Sequence, residues 1–101
     1  MNERIPVAVL GATGSVGQRF VQLLENHPWF EITGLTGSDH KVGLLYREAC
    51  HWVLPEPMPE SVRDLPLKSS DPQQIQAPLV FSALPAELAR QLGLVRQEQE
   101  R

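Results

Sequence analysis

An α/β fold built on a parallel sheet is predicted for this 101-residue chain by three observations. Short Val/Ile-rich runs alternate with amphipathic stretches, in the order strand, helix, strand, connection, strand, helix. The first run is apolar on both faces, as a parallel strand covered on both sides must be. Three glycines, Gly11, Gly14 and Gly17, stand at intervals of three where this run gives way to the first amphipathic stretch. A complete doubly wound sheet has about six strands. Three or four are legible here, so the expectation is part of such a sheet with helices on its faces.

Ile5–Leu10 reads as the first strand, with Pro6, which has no amide donor, confined to its opening residues. Residues 14–26 read as a helix, with Val16, Phe20, Leu23 and Leu24 on one face and Asn26-His27-Pro28 as the stop. Residues 31–36 form the second strand, and Gly37-Ser38-Asp39 the loop at its carboxyl end. A short helix is expected within 43–52. Residues 54–66, with Pro55, Pro57, Pro59 and Pro66, read as an irregular connection. A weak strand is expected at 65–69. Asp71-Pro72 has the form of an N-cap followed by proline at the first helical position, opening a very short helix. Leu79–Ser82 is a strand, and 85–99 reads as a helix with Leu88, Leu92 and Val95 on one side. There are no internal repeats.

Composition excludes several function classes. The net charge is -3, from 9 basic and 12 acidic residues, and no basic stripe offers itself to nucleic acid. No apolar run approaches the roughly 20 residues of a membrane span. The opening MNERIPVAV lacks the apolar core of a secretion signal. The single cysteine, Cys50, can form neither an internal disulfide nor a Cys-rich zinc site. The expectation is a soluble cytoplasmic protein with no nucleic-acid, membrane or metal partner.

The glycines specify a chemistry. A turn from strand to helix that holds a pyrophosphate needs a sharp backbone reversal, which Gly11 allows. It needs close approach without a Cβ, which suits Gly14, and tight packing of helix on strand, which suits Gly17. The first helical amides have no internal partner, and the helix N-terminus carries about half a positive charge. Thr13 and Ser15 add hydroxyls. A tight turn with one close contact is the bland alternative. The flanking strand and helix favour a Rossmann-type dinucleotide site. The spacing is Gly-x-x-Gly-x-x-Gly rather than Gly-x-Gly-x-x-Gly, and no Gly-Lys-Ser/Thr follows, which argues against a Walker-type loop.

Three blocks, GATGSVGQRF, SDHKVGLLYREACHW and VFSALPAELA, resemble the aspartate-semialdehyde dehydrogenases, in the branch found in archaea and fungi. The likeness covers about residues 4–90, in the family's order and spacing. It implies an NADP-dependent oxidoreductase that reductively dephosphorylates aspartyl phosphate to aspartate semialdehyde, in lysine, threonine and methionine biosynthesis. It implies that Gly11, Thr13, Gly14, Ser15 and Val16 cradle the pyrophosphate, and that Ser38 sits by the adenosine ribose and its 2'-phosphate. Ser82, Ala83 and Leu84 would line the path to the nicotinamide.

Two departures stand out. After Ser38 the family pattern is x-Arg-Ser-x-Gly-Lys-x-Tyr, whereas this chain reads Asp39-His40-Lys41-Val42-Gly43-Leu44-Leu45-Tyr46. A neutral His40 lacks the bidentate fork of the expected Arg. Lys41 is therefore expected to supply the charge for the 2'-phosphate of NADP, with Asp39 on the bare ribose of NAD as the alternative. Second, the family's catalytic Cys, its acid/base His and its substrate-binding Arg have no counterpart within these 101 residues, and the tail RQLGLVRQEQER after Ala89 reads unlike the family. Residues 1–101 are thus expected to be a truncated N-terminal half-domain, without catalytic residues and inactive alone. Assembly into oligomers is expected of the intact enzyme and not of this fragment.

Other residues are weighed the same way. Cys50-His51 sets a thiol beside a base, but sequence neighbours point apart, so a half-buried structural cysteine is expected. His27 reads as a capping or surface residue. Of Trp29, Phe30 and Trp52, candidates to stack on adenine, at least two are expected in the core. Tyr46 lacks the Tyr-x-x-x-Lys partner of short-chain reductases. The competing functions are a related acyl-CoA reductase such as malonyl-CoA reductase, a non-catalytic Rossmann-type NAD(P)-binding module, and a remnant that folds poorly. The second and third blocks speak against the module.

Overall fold

The computed structural model describes residues 3–84. Among them four strands, β1 (Ile5–Leu10), β2 (Phe30–Thr36), β3 (Leu67–Lys68) and β4 (Leu79–Ser82), form one parallel sheet in the order β3-β2-β1-β4. β1 is central, and Val7, Ala8, Val9 and Leu10 are all buried, which explains its unbroken apolar run. The strand order reverses between β2 and β4, on either side of β1. In an open α/β sheet this is the switch point at whose carboxyl side ligands bind.

Helix α1 (Ser15–Leu24) makes the crossover from β1 to β2. It ends where Glu25 turns its amide to Gln22 O and Asn26 enters the left-handed region at φ 57°, a conformation Asn tolerates better than most residues. Its buried face is Gly17, Gln18, Val21 and Leu24, with Phe20 half-buried. Of the expected face, Leu24 is buried and Phe20 half-buried, but Val16 is 58% and Leu23 65% exposed. The phase is set by Gly17, which must meet the turn.

The crossover from β2 to β3 carries a 3-10 turn at Asp39–Lys41, helix α2 (Tyr46–Ala49) and helix α3 (Glu60–Arg63). α2 lies within the expected 43–52 and spans four residues. Its start is fixed by Glu48, whose Oε1 accepts the Leu45 amide at 3.0 Å. The connection 54–66 is not wholly irregular, since α3 opens directly after the buried Pro59. α2 and the residue that ends α3 share an exposed ion pair, Arg47 Nε to Asp64 at 2.8 Å, which solvent screens and which adds little to stability. Beneath them Tyr46, Cys50, Val62 and Leu67 join Val7, Val9, Ala12, Val21, Leu24 and Leu35 in one core, with Phe30, Trp52 and Phe81 packed against it. Two of the three adenine-stacking candidates, Phe30 and Trp52, are therefore half-buried against the core. The third, Trp29, is 68% exposed at the amino end of the sheet, where its carbonyl accepts the Ile5 amide.

Between β3 and β4 the chain makes a 3-10 turn at Pro72–Gln74, capped as expected by Asp71, whose Oδ1 accepts the Gln73 amide at 3.0 Å. Gln74 to Ala77 then passes over the second face of the sheet, where Ala8 and Gly34 leave room and a cavity of about 190 Å³ remains. The expected helix at 85–99 lies outside the described residues.

Candidate nucleotide-binding cleft

The glycine turn is held by the end of β2. Gly11 takes φ +69°, and its amide donates to Thr36 Oγ1 at 3.2 Å. The Ala12 amide donates to Thr36 O at 2.9 Å. Thr36 is buried, and its hydroxyl shares a hydrogen bond of 2.6 Å with Ser70. Gly14 is the N-cap of α1, in an extended conformation that any residue adopts. No side chain caps this helix and no acid lies in its first turn, so its amides and positive end face outward. A Cβ on Gly14 would project into open space, with only Gly11 O as near as 4.0 Å. A Cβ on Gly17 would overlap Gly11 O and lie 2.7 Å from Ala12 Cα. The three glycines thus have three different reasons: a left-handed turn, an open approach and a backbone contact.

A second segment props this turn from beneath. Tyr46 is fully buried, and its hydroxyl donates to Ala12 O at 2.7 Å. Gln18, 1% exposed, donates from Nε2 to both Thr13 O and His51 O at 2.9 Å, and its Oε1 accepts the Val53 amide at 2.9 Å. Cys50 Sγ lies 3.8 Å from Thr13 O, a weak thiol contact. Burial pushes the Cys50 thiol up, against smaller opposing pulls from the Tyr46 hydroxyl and Lys41. Cys50 is thus a buried structural residue, more so than expected, and His51 contributes a carbonyl. His27 is a local cap, its Nδ1 accepting the Trp29 amide at 3.0 Å.

Burial also pushes the Tyr46 hydroxyl far above the ordinary phenol value of 10.0, and Cys50 adds to the effect. The folded state therefore keeps a proton that the unfolded chain loses from about pH 10 upward. The folded state binds more protons there, so stability falls as pH rises past that value. Tyr46 is the sole tyrosine. In an alkaline titration its phenolate absorbance is expected to appear together with unfolding, and phenolate in the folded chain would contradict this environment. Tyr46→Phe removes this part of the pH slope and costs about 1–2 kcal/mol for the Ala12 carbonyl left unpaired.

An open cleft of about 770 Å³ lies at the carboxyl side of the sheet. Segments following all four strands line it: Gly11, Thr13 and Gly14 after β1, Gly37 to Asp39 after β2, Ser69 to Asp71 after β3, and Ala83 and Leu84 after β4. Seven residues singled out from the sequence, Gly11, Thr13, Gly14, Ser38, Asp39, Ala83 and Leu84, are brought together here. Ser15 and Val16 are exposed on the first turn of α1, outside the lining. Ser82 turns its Oγ to accept the Leu84 amide at 3.2 Å. Lys41 is also outside the lining, with Nζ donating to Ala49 O at 3.2 Å. The wall at Ser69, Ser70 and Asp71 had no signal in the sequence, because it adjoins the glycine turn only through the sheet.

The family described as semialdehyde dehydrogenase, NAD binding domain, matches residues 6–96. The match runs past Ala89, where the family likeness was expected to end. Aspartate-semialdehyde dehydrogenase of Archaeoglobus fulgidus is 44% identical over 89 residues, covering 88% of this chain and 26% of that protein. The enzyme of the same name from Methanothermobacter thermautotrophicus is 48% identical, covering 87% and 26%. The solved structure of aspartate semialdehyde dehydrogenase with NADP from Candida albicans superposes with a TM-score of 0.82 at 39% identity, covering 90% of this chain and 26% of that one. The chain thus spans about a quarter of the length of these relatives. By sequence and by fold alike, it belongs to the semialdehyde dehydrogenase family and corresponds to its NAD-binding domain.

Proposed function

We propose that residues 1–101 are the N-terminal dinucleotide-binding part of an aspartate-semialdehyde dehydrogenase, and that they hold NADP in the cleft at the carboxyl side of the sheet. The observation that carries this reading is the uncapped start of α1 at Gly14, open to a cleft bordered by all four strand ends. Free amides, a positive helix end and the lack of a Cβ fit a pyrophosphate. Gly11, Thr13 and Gly14, with the amides of Ser15 and Val16, are assigned to it. Ser38 is assigned to the adenosine ribose, and Ala83 and Leu84 to the nicotinamide side. The NADP-bound Candida albicans enzyme supports the choice of cofactor. When bound, the reduced cofactor supplies a hydride. The reaction proposed for the whole enzyme is the reductive dephosphorylation of aspartyl phosphate. The buried thiol of Cys50, turned to a backbone carbonyl, is assigned no part in it.

A titration of the chain with NADPH, read by calorimetry, tests this. Saturable binding is expected. Gly14→Val is expected to fold unchanged, since its backbone is extended and its Cβ meets nothing within van der Waals contact. Its side chain would occupy the approach of the pyrophosphate and weaken binding on the order of 100-fold, about 2.7 kcal/mol. Equal affinity in the variant would show that the turn does not hold the nucleotide.

A further inference from the structure

The cleft carries a charge pattern that bears on which dinucleotide it takes. Asp39 follows Ser38 in the 3-10 turn after β2 and lines the cleft. Asp71, on the wall after β3, lines it as well, beside the hydroxyls of Ser69 and Ser70. Among the described lining residues none is Lys, Arg or His. The cation nearest in sequence, Lys41, is engaged elsewhere: its Nζ donates to the carbonyl of Ala49, the last residue of α2. Lys68 lines the separate cavity on the second face of the sheet. His40 is exposed and not part of the lining.

The two dinucleotides differ at one position. NADP carries a 2'-phosphate, which brings about -1.5 to -2 charges at neutral pH if it ionises as other phosphate monoesters do. NAD offers a hydroxyl pair there. A carboxylate at the end of the second strand accepts hydrogen bonds from that pair, and like charges repel a phosphate in the same place. A phosphate site needs a cation or an arginine fork, and Lys41, the lysine of the loop after β2, donates to the Ala49 carbonyl instead of lining the cleft. Resting on the reading of the cleft as a dinucleotide site, we propose that it accepts NAD(H) on terms at least equal to NADP(H), and that Asp39 is the residue that sets the ratio. Asp39 accepts the ribose hydroxyls of NAD and opposes the 2'-phosphate of NADP. Asp71 adds to the opposing charge from the facing wall.

The test is a pair of titrations of the chain with NADH and with NADPH at low ionic strength, repeated on Asp39→Asn. Asp39 is exposed and no side-chain hydrogen bond is recorded for it among the described residues, so the variant keeps the fold. The expected result is an NADH dissociation constant equal to or below that for NADPH. In Asp39→Asn the ratio is expected to move about tenfold toward NADPH, and added salt is expected to shrink that movement. Tighter binding of NADPH than of NADH by the unaltered chain overturns the proposal, and so does a ratio that Asp39→Asn leaves in place. Absence of binding by both nucleotides to folded chain overturns the dinucleotide reading itself, and this proposal with it.

Discussion

Replacing Gly17 by alanine is expected to cost about 4 kcal/mol or more, enough to unfold much of a chain whose total stability is of the order of 5–15 kcal/mol. Helix propensity alone predicts the opposite sign. Glycine inside a helix is about 0.5–1 kcal/mol worse than alanine, so the change would stabilise an isolated α1. The packing reverses this. The added methyl would overlap the Gly11 carbonyl and crowd Ala12 Cα at 2.7 Å, and both are backbone of a turn pinned to Thr36. No side-chain rotation relieves such a contact, so α1 must lift from the turn and uncover Val21 and Leu24.

Gly37→Ala provides the contrast. Its Cβ would sit 3.0 Å from Leu67 Cδ1, the end of a side chain that can shift, and a loss of about 1 kcal/mol is expected. Urea denaturation of the two variants measures the difference. A Gly17→Ala chain as stable as the unaltered one would mean that α1 does not meet the turn as described.

Gln18 is the second position where a large loss is expected. Gln18→Ala removes three hydrogen bonds and leaves a void at a fully buried site, for an expected cost of about 2–4 kcal/mol. Gln18→Glu separates the polar terms from the volume. Its carboxyl group can still accept the Val53 amide, but its other oxygen faces the carbonyls of Thr13 and His51, where the amide donated. Only the protonated acid restores a donor. Its folded pKa is therefore raised above the unfolded value of about 4.3. The stability this proton supplies is present below about pH 4.3 and lost as pH rises through the folded value. Denaturation of Gln18→Glu at several pH values is expected to show a deficit at pH 7 that narrows in acid. A deficit that does not change with pH would assign the cost to shape rather than to the carbonyls.

Much of the fold was legible because its signals are local. β1 and β4 have the bounds read from the sequence, and β2 differs by one residue. The glycine turn and the proline after Asp71 also sit where their backbone requirements place them. The misreadings have specific causes. Val16 and Leu23 were assigned to the buried face because they are apolar, yet a glycine decides which side of α1 meets the turn. For Lys41, expected at the phosphate because it stands one position beyond the lost Arg, the structure adds a partner the sequence does not record, the Ala49 carbonyl at the end of α2. Gln18 attracted no attention, since a lone glutamine in an amphipathic helix resembles any solvated position.

By itself the sequence determined a parallel α/β architecture, a nucleotide-type turn between its first strand and helix, and the family through three ordered blocks. Those features depend on residues close along the chain, whose periodicity and backbone freedom are visible without a fold. The tertiary structure alone decided what holds the turn and what surrounds it. Tyr46 reaches Ala12 across 34 residues, and Gln18 reaches His51 and Val53 across 33 and 35. Asp71 shares the cleft with Asp39 only because β3 lies beside β2 in the sheet. Contacts of that kind are set by chain topology and by the need to pair buried polar groups, which no local pattern records.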